Sequence, residues 1–219
     1  MRYAAAAALL AMVAGSIPTA AQEASPPPMT VDMQLIRLNT DLAYRRGISF
    51  NHVDLHRIVL RVREGARAPR HVRDGDTLSV DQFAALLIRE RLATVQLTPK
   101  LTSPSGVEAE AFTGDLATLT HPETREQLSV RLGTSIWATP ERVGSDEATL
   151  KLRVEVRTGS VSADGSFLKG THAQAGTTVT WVRGRTGLVT SIPLTEPGRA
   201  AGRSPMLMVL ARVEPAGQS

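Results

Sequence analysis

The chain has 219 residues, of which 42% are apolar, 21% charged and only 4% aromatic, and 25 Lys and Arg against 21 Asp and Glu leave a net charge of +4. So small an excess, spread along the chain with few rings on which bases would stack, argues against a nucleic-acid partner. There is no cysteine, which excludes disulfides, thiolate metal sites and cysteine nucleophiles.

Residues 1–21 read as a secretory signal peptide. Arg2 gives a short basic start, residues 4–15 are an apolar run too short to span a bilayer, Pro18 breaks it, and Thr19-Ala20-Ala21 supplies small residues for cleavage near Gln22. The mature chain is therefore expected outside the cytoplasm, in the outer membrane or the periplasm. No later stretch approaches the roughly 18 uninterrupted apolar residues of a membrane helix, so any insertion would use strands. Residues 22–29, QEASPPPM, form a proline-rich tether. A β domain is expected over 30–214 and a short tail over 215–219.

Within that domain, Val31, Met33 and Leu35 alternate with Asp32 and Gln34 as in a strand with one buried face. Ile36 and Leu38 then change face, so the strand either bulges or is buried on both sides. NTDLAYRRG, 39–47, suggests a short helical segment closed by glycine, and extended structure resumes through ISFNHVDLHRIVLRVRE. DGDT, 74–77, is a turn by composition.

The clearest helix spans 79–93. Ser79 is its N-cap, Gln82 completes a capping box, and Val80, Phe83, Ala84 and Leu87 share a face meant for a sheet. Strand signals dominate from Thr94 onward. VQLTPKLTSPSGVEAEAFTGD, 95–115, reads as a hairpin turning at 103–106, with Pro99 tolerated at an edge or a bulge. LSVRLGTSIWATP, 128–140, is a longer strand whose Gly133 weakens it unless a bend or a close approach is wanted.

LKLRVEVR, 150–157, alternates most cleanly, with Leu150, Leu152, Val154 and Val156 facing a packed layer and Lys151, Arg153, Glu155 and Arg157 facing water. As an eight-residue strand it falls short of the roughly 9 to 11 residues that cross a membrane. Residues 159–176, rich in glycine and serine, read as a flexible loop. TTVTWV and GLVTSI suggest a further hairpin across 183–186, and MLMVLARV, 206–213, is apolar on both faces and expected to be central. The expected fold class is mainly β, with antiparallel hairpins forming a two-layer sheet or an oligomeric barrel domain and one or two short helices.

Catalytic and metal-binding patterns are sparse. His52 and His56 would share a helix face, but extended chain puts them roughly 13 Å apart, too far for one metal. His71, His121 and His172 have no helpful neighbours in sequence and read as solvated loop histidines. Asp74-Gly75-Asp76 opens like a calcium loop without the bidentate glutamate that should follow. Gly184-Arg185-Thr186-Gly187 has the glycines of a nucleic-acid clamp loop but joins strands. Glu108 and Glu110 lie about 7 Å apart on one strand face, a spacing compatible with glycoside hydrolysis, yet no aromatic subsite accompanies them and a wet strand face is the simpler reading. No catalytic residue, metal or cofactor is expected.

The order of these elements resembles the C-terminal domain of the secretins, the oligomeric outer-membrane channels of type II and type III secretion systems and type IV pili. VDMQLIRLNTDLAYRRGISF is similar to the family's opening strand, short helix and glycine close. FAALLIRERLATVQLTPKLTSPSGVEAEAFTGD is similar to its helix, proline-bearing strand, turn and returning strand. LGTSIWATP, the charged strand 150–157, TTVTWVRGRTGLVTSI and MLMVLARV follow in the family's order. Arg37 replaces an acid, Thr190-Ser191 replace a glycine pair, the last strand lacks a proline before Arg212, and no lip-like stretch is recognisable between Pro193 and Pro205. The family's ring-forming periplasmic domains are not found before Val31.

The resemblance implies a non-enzymatic, homo-oligomeric outer-membrane pore, or a pore-associated component, for protein secretion or pilus export. Its partners would be other copies of the chain and parts of the secretion or pilus apparatus. The alternative is a soluble periplasmic binding or assembly module with the same fold.

Overall fold

The computed structural model describes residues 27–66, 72–120, 123–161, 167–194 and 204–217. In chain order the elements are β1 (Met29–Leu38), α1 (Thr40–Arg45), β2 (Ile48–His52), β3 (Arg57–Val62), β4 (Thr77–Ser79), α2 (Val80–Arg89), β5 (Ala93–Leu97), β6 (Lys100–Ser103), β7 (Ala109–Thr120), β8 (Gln127–Arg142), β9 (Glu147–Val161), β10 (Phe167–Val182), β11 (Gly187–Pro193) and β12 (Met206–Pro215). The domain is mainly β and antiparallel, as the alternation predicts.

A five-stranded sheet lies at its centre, with order β11-β12-β1-β5 and β6 also paired to β1. Both of its faces are covered. On one side Val31, Met33, Leu35, Val209, Ala211 and Val213 pack against Ile136, Leu150, Leu152 and Val154 of a four-stranded sheet, β10-β9-β8-β7. On the other side Ile36, Leu38, Met208 and Leu210 pack against Phe83, Ala84 and Leu87 of α2, with Ile58 and Leu60 of the small sheet β2-β3-β4.

This settles the change of face in β1. Its ladder with β12 runs without a shift from Met29 to Leu38, so the strand is buried on both sides, and MLMVLARV, apart from the exposed Arg212, is apolar on both faces for the same reason. The irregularity lies in the pairing with β5, between Leu35 and Ile36. β5 and β6 together form the sheet's edge, separated by Thr98 and Pro99, and the Pro99 carbonyl accepts from the Met33 N–H at 2.9 Å. Pro99 therefore sits at an interrupted edge, where a missing N–H is tolerated.

α2 starts as predicted. The Ser79 hydroxyl accepts from the Gln82 N–H and the Gln82 side chain accepts from the Ser79 N–H, closing the capping box. The helix stops at Arg89, short of Ala93, because Arg91 turns to a φ of 56° and Ala93 is drawn into β5. α1 likewise forms where expected and is closed by Gly47 at a φ of 67°. β1 begins at Met29, one residue into the stretch read as a tether, because that side chain is wholly buried.

Four expectations change. Residues 95–103 and β7 do not form a hairpin: β5 and β6 pair with β1, whereas β7 pairs with β8 in the other sheet. The 103–106 turn carries the chain between layers, with Gly106 N–H donating to the Pro140 carbonyl and Arg142 N–H to Ser105. TTVTWV and GLVTSI are also in different sheets, β10 against β9 and β11 against β12. Much of the 159–176 stretch is strand, because β10 pairs with β9 from Phe167 onward and supplies the partners that its own composition does not advertise. Finally, LKLRVEVR is the middle of a 15-residue strand. At roughly 3.3 Å per residue that length covers about 50 Å, so strand length sets no bar to crossing a bilayer core of about 30 Å.

Residues 1–26 and 195–203, which include the predicted signal peptide, most of the tether and most of the lip region, lie outside the described residues. No helix among the described residues is long and apolar enough to cross a membrane. Phe83 is fully buried where α2 meets the central sheet; Phe83→Ala should lower the unfolding free energy by about 3–5 kcal/mol, read from urea melts, whereas Ser79→Ala should cost only about 1 kcal/mol through the lost cap.

Candidate functional site

The four-stranded sheet has one dry face and one wet face, and the wet face gathers the polar side chains that the sequence left without roles. In β8 and β9, Ile136 and Ala138 stand opposite Val154 and Leu152 on the dry side, while Ser135 and Trp137 stand opposite Glu155 and Arg153 on the other. The Arg153 guanidinium lies 4.0 Å from the centre of the Trp137 ring, a cation–π contact. Glu155, largely buried, pairs with Arg157 and with His172, whose Nε2 is 2.8 Å away. His172 is thus not a loop residue but part of β10, and its carboxylate partner comes from the neighbouring strand.

β7 and β8 stay paired from Ala109↔Ala138 to Thr120↔Gln127, yet they do not run straight. Gly114 and Gly133 face each other across the ladder with φ of 146° and 148°. A Cβ on Gly133 would lie 2.1 Å from the Thr113 carbonyl oxygen, and one on Gly114 would lie 2.1 Å from that of Leu132. Only glycine permits this backbone conformation and this approach.

Beyond the glycine pair the ribbon folds back over the wet face. In the ladder Arg131 is six residues from Trp137, the partner of Glu110; on a straight strand that is about 20 Å, further than the two side chains reach. Arg131 nevertheless forms an ion pair with Glu110, and its guanidinium lies 5.2 Å from the Phe112 ring centre. Leu128, Ser129, Val130 and Arg131 of the tip enclose a cleft with Ser135, Trp137, Glu155 and Arg157. The pairing of β8 with β9 stops at Gly133↔Arg157, although both strands continue. Beyond that point the sheet splits into two ribbons, and Leu116 and Leu128 at the tip are 71% and 64% exposed.

The other candidates have separate surroundings. Glu108 immediately precedes β7, whereas Glu110 lies on β7 and is ion-paired with Arg131. His52 lies on β2 with its ring against Phe50, and the His56 Nδ1 bonds the Thr186 carbonyl at 3.0 Å. Asp74 and Asp76 accept from the N–H groups of Val62 and Arg73 and so fix their turn. Gly184–Gly187 links the two sheets. His71 and His121 lie outside the described residues. Among the described residues no group of three or more metal-ligating side chains is found.

No family model matches the chain, and no curated protein does. Solved structures do. The likeness is to secretins. A chain of the ETEC pilotin–secretin AspS–GspD complex aligns with 86% of this chain and 49% of its own at 9% identity, with a TM-score of 0.45. The type II secretin GspD from enteropathogenic Escherichia coli covers 85% of this chain and 68% of its own at 10% identity, TM-score 0.45. The Salmonella SPI-1 type III secretion injectisome secretin InvG covers 88% and 67% at 10% identity, TM-score 0.42. The chain spans about half the length of the first of these.

The glycine pair gives a direct test. Gly133→Ala should lower stability by about 1–3 kcal/mol through the strained φ alone, and by more if the Thr113 carbonyl cannot yield; an unchanged urea midpoint would show that the ribbon bends elsewhere.

Proposed function

We propose that the chain is a secretin-like, non-enzymatic component that assembles as a homo-oligomeric ring or pore in the outer membrane and serves protein secretion or pilus export. The observation that carries this reading is the four-stranded sheet. Its strands run 12 to 16 residues, one face is sealed against the central sheet, the other is charged and wet, and its edge strands β7 and β10 have no further strand beyond them among the described residues. Long edges of this kind invite pairing with another chain, and closing them around a ring satisfies backbone groups that would otherwise stay open. The order of sequence elements that resembles the secretin domain supports the same reading.

In such a ring the wet face lines the passage. Lys151, Arg153 and Arg157 from β9 and Arg131 from β8 then give it a cationic cast, tempered by Glu110 and Glu155. Residues 1–21 act as the export signal, 22–28 as the tether and 29–215 as the assembly domain, with copies of the chain and components of the secretion or pilus apparatus as partners.

A soluble periplasmic assembly module is the second reading. It is favoured by the burial of both faces of the central sheet, which leaves no broad lipid-facing surface on that sheet. Fractionation separates the two. The pore reading expects high-mass oligomers that resist heating in detergent and sediment with the outer membrane; a monomer released by osmotic shock would overturn it in favour of the second.

A further inference from the structure

We propose that the C-terminal ends of α1 and α2 form a docking surface for the phosphate headgroups of an anionic lipid layer. Residues 37–91, which build both helices and the small sheet, hold 11 of the 25 basic residues, all of them arginine, against 7 of the 21 acids. This layer therefore carries a charge equal to the whole net +4. Within it the arginines gather at one place. Arg46 Nη1 donates to the Glu90 carbonyl at 3.1 Å and so joins the end of α1 to the end of α2. The Arg63 guanidinium lies 5.3 Å from the centre of the Tyr44 ring, which brings in the chain leaving β3. Arg45, Arg89 and Arg91 complete the group, and all three are exposed.

A cation at a helix C-terminus compensates its dipole, and Arg46 on the Glu90 carbonyl does so, but five arginines exceed what two helix ends need. The nearby acids do not cancel them. Asp41 is paired with Arg45, the largely buried Glu90 lies 3.5 Å from both Arg46 and Arg89, and Glu64 follows Arg63 in sequence. Arg63 and Arg91 have no ion pair among the described residues. Beside the group, Asn39, Arg91 and Thr94 are among the residues that line a cleft of about 220 Å³. The Asn39 Oδ1 already accepts from the Leu42 N–H, and the Thr94 Oγ1 from the Gln96 side-chain amide. What these two side chains have left to offer is an N–H and an O–H, the donors that a phosphate oxygen accepts from. The planar guanidinium fork suits phosphate in the same way, because it bonds two oxygens at once. Tyr44 and Ile88, 57% and 36% exposed, add the aromatic and aliphatic contacts that rest at headgroup depth, which favours a lipid layer over a free anion. The inference goes beyond the pore reading, since a soluble module could use the same surface without inserting a strand.

The test sediments the full mature chain with vesicles of phosphatidylcholine alone and of phosphatidylcholine mixed with phosphatidylglycerol. Binding to the anionic vesicles should be the tighter at low salt and should fall at high salt as screening shortens the reach of each charge. Arg45→Gln, Arg89→Gln and Arg91→Gln together should weaken it about tenfold or more, since each cation at an anionic surface contributes about fivefold. Arg91→Gln alone, which breaks no ion pair, should already cost about fivefold. Lys100→Gln, Arg142→Gln and Arg185→Gln remove as many exposed cations from elsewhere on the domain and should leave binding nearly unchanged. Equal losses in the two triple variants, or equal salt-reversible binding to neutral and anionic vesicles, would overturn the proposal. Tighter binding to a polyglutamate peptide of matched charge would also overturn it, in favour of an acidic protein partner. Strand insertion is read separately, as sedimentation that survives alkaline carbonate; a chain that binds reversibly through these arginines but fails there would overturn the pore reading alone.

Discussion

Burial of β1 and β12 on both faces is the constraint on which the domain depends. Their ten-residue ladder sends alternate side chains into two separate cores, one shared with the four-stranded sheet and one shared with α2 and the small sheet. Neither outer layer could hide its apolar face without this pair between them. The same pair joins the first and last strands of the described domain, so the layers form only when distant parts of the chain have met. The cost of that closure is set by chain entropy, and the compensation is a central sheet with both sides dry.

With stability placed there, the wet face is free to be polar. Its ion pairs are mostly half-exposed, and pairs of that kind contribute about 0.2–1 kcal/mol each, small beside the roughly 1.5–3 kcal/mol for each large apolar side chain buried in the cores. Arg153 over Trp137 and Arg131 over Phe112 add ring contacts that tolerate water. A face made this way adds little to the stability of the domain behind it.

How much of this the sequence shows depends on whether the signal is local. LKLRVEVR and MLMVLARV disclose their burial because a strand's side-chain period is carried by its own residues, and Ser79 with Gln82 discloses the helix start in the same way. Sheet membership is not local. β10 and β11 are neighbours in sequence and look like a hairpin, yet Arg183 and Gly184 bond to Asp146 and Val213 and pass the chain from one layer to the other. Residues 167–176 look like a loop because glycine, alanine and threonine advertise little, and the strand exists through β9 beside it. The wet-face cluster was hidden for the same reason: His172 meets Glu155 only across a ladder, and Glu110 meets Arg131 only across a bend.

The bend itself shows why a single glycine is an incomplete signal. Gly133 alone predicts a weak point in a strand, and Gly114 alone predicts little more. Opposite each other they remove both side chains from the place where two backbones approach, and each would be blocked by the other strand's carbonyl if either were replaced. The bend is therefore a property of the pair and not of either strand, and it is confined to the outer sheet, whereas the ladder of the doubly buried β1 and β12 beneath it runs without any such irregularity.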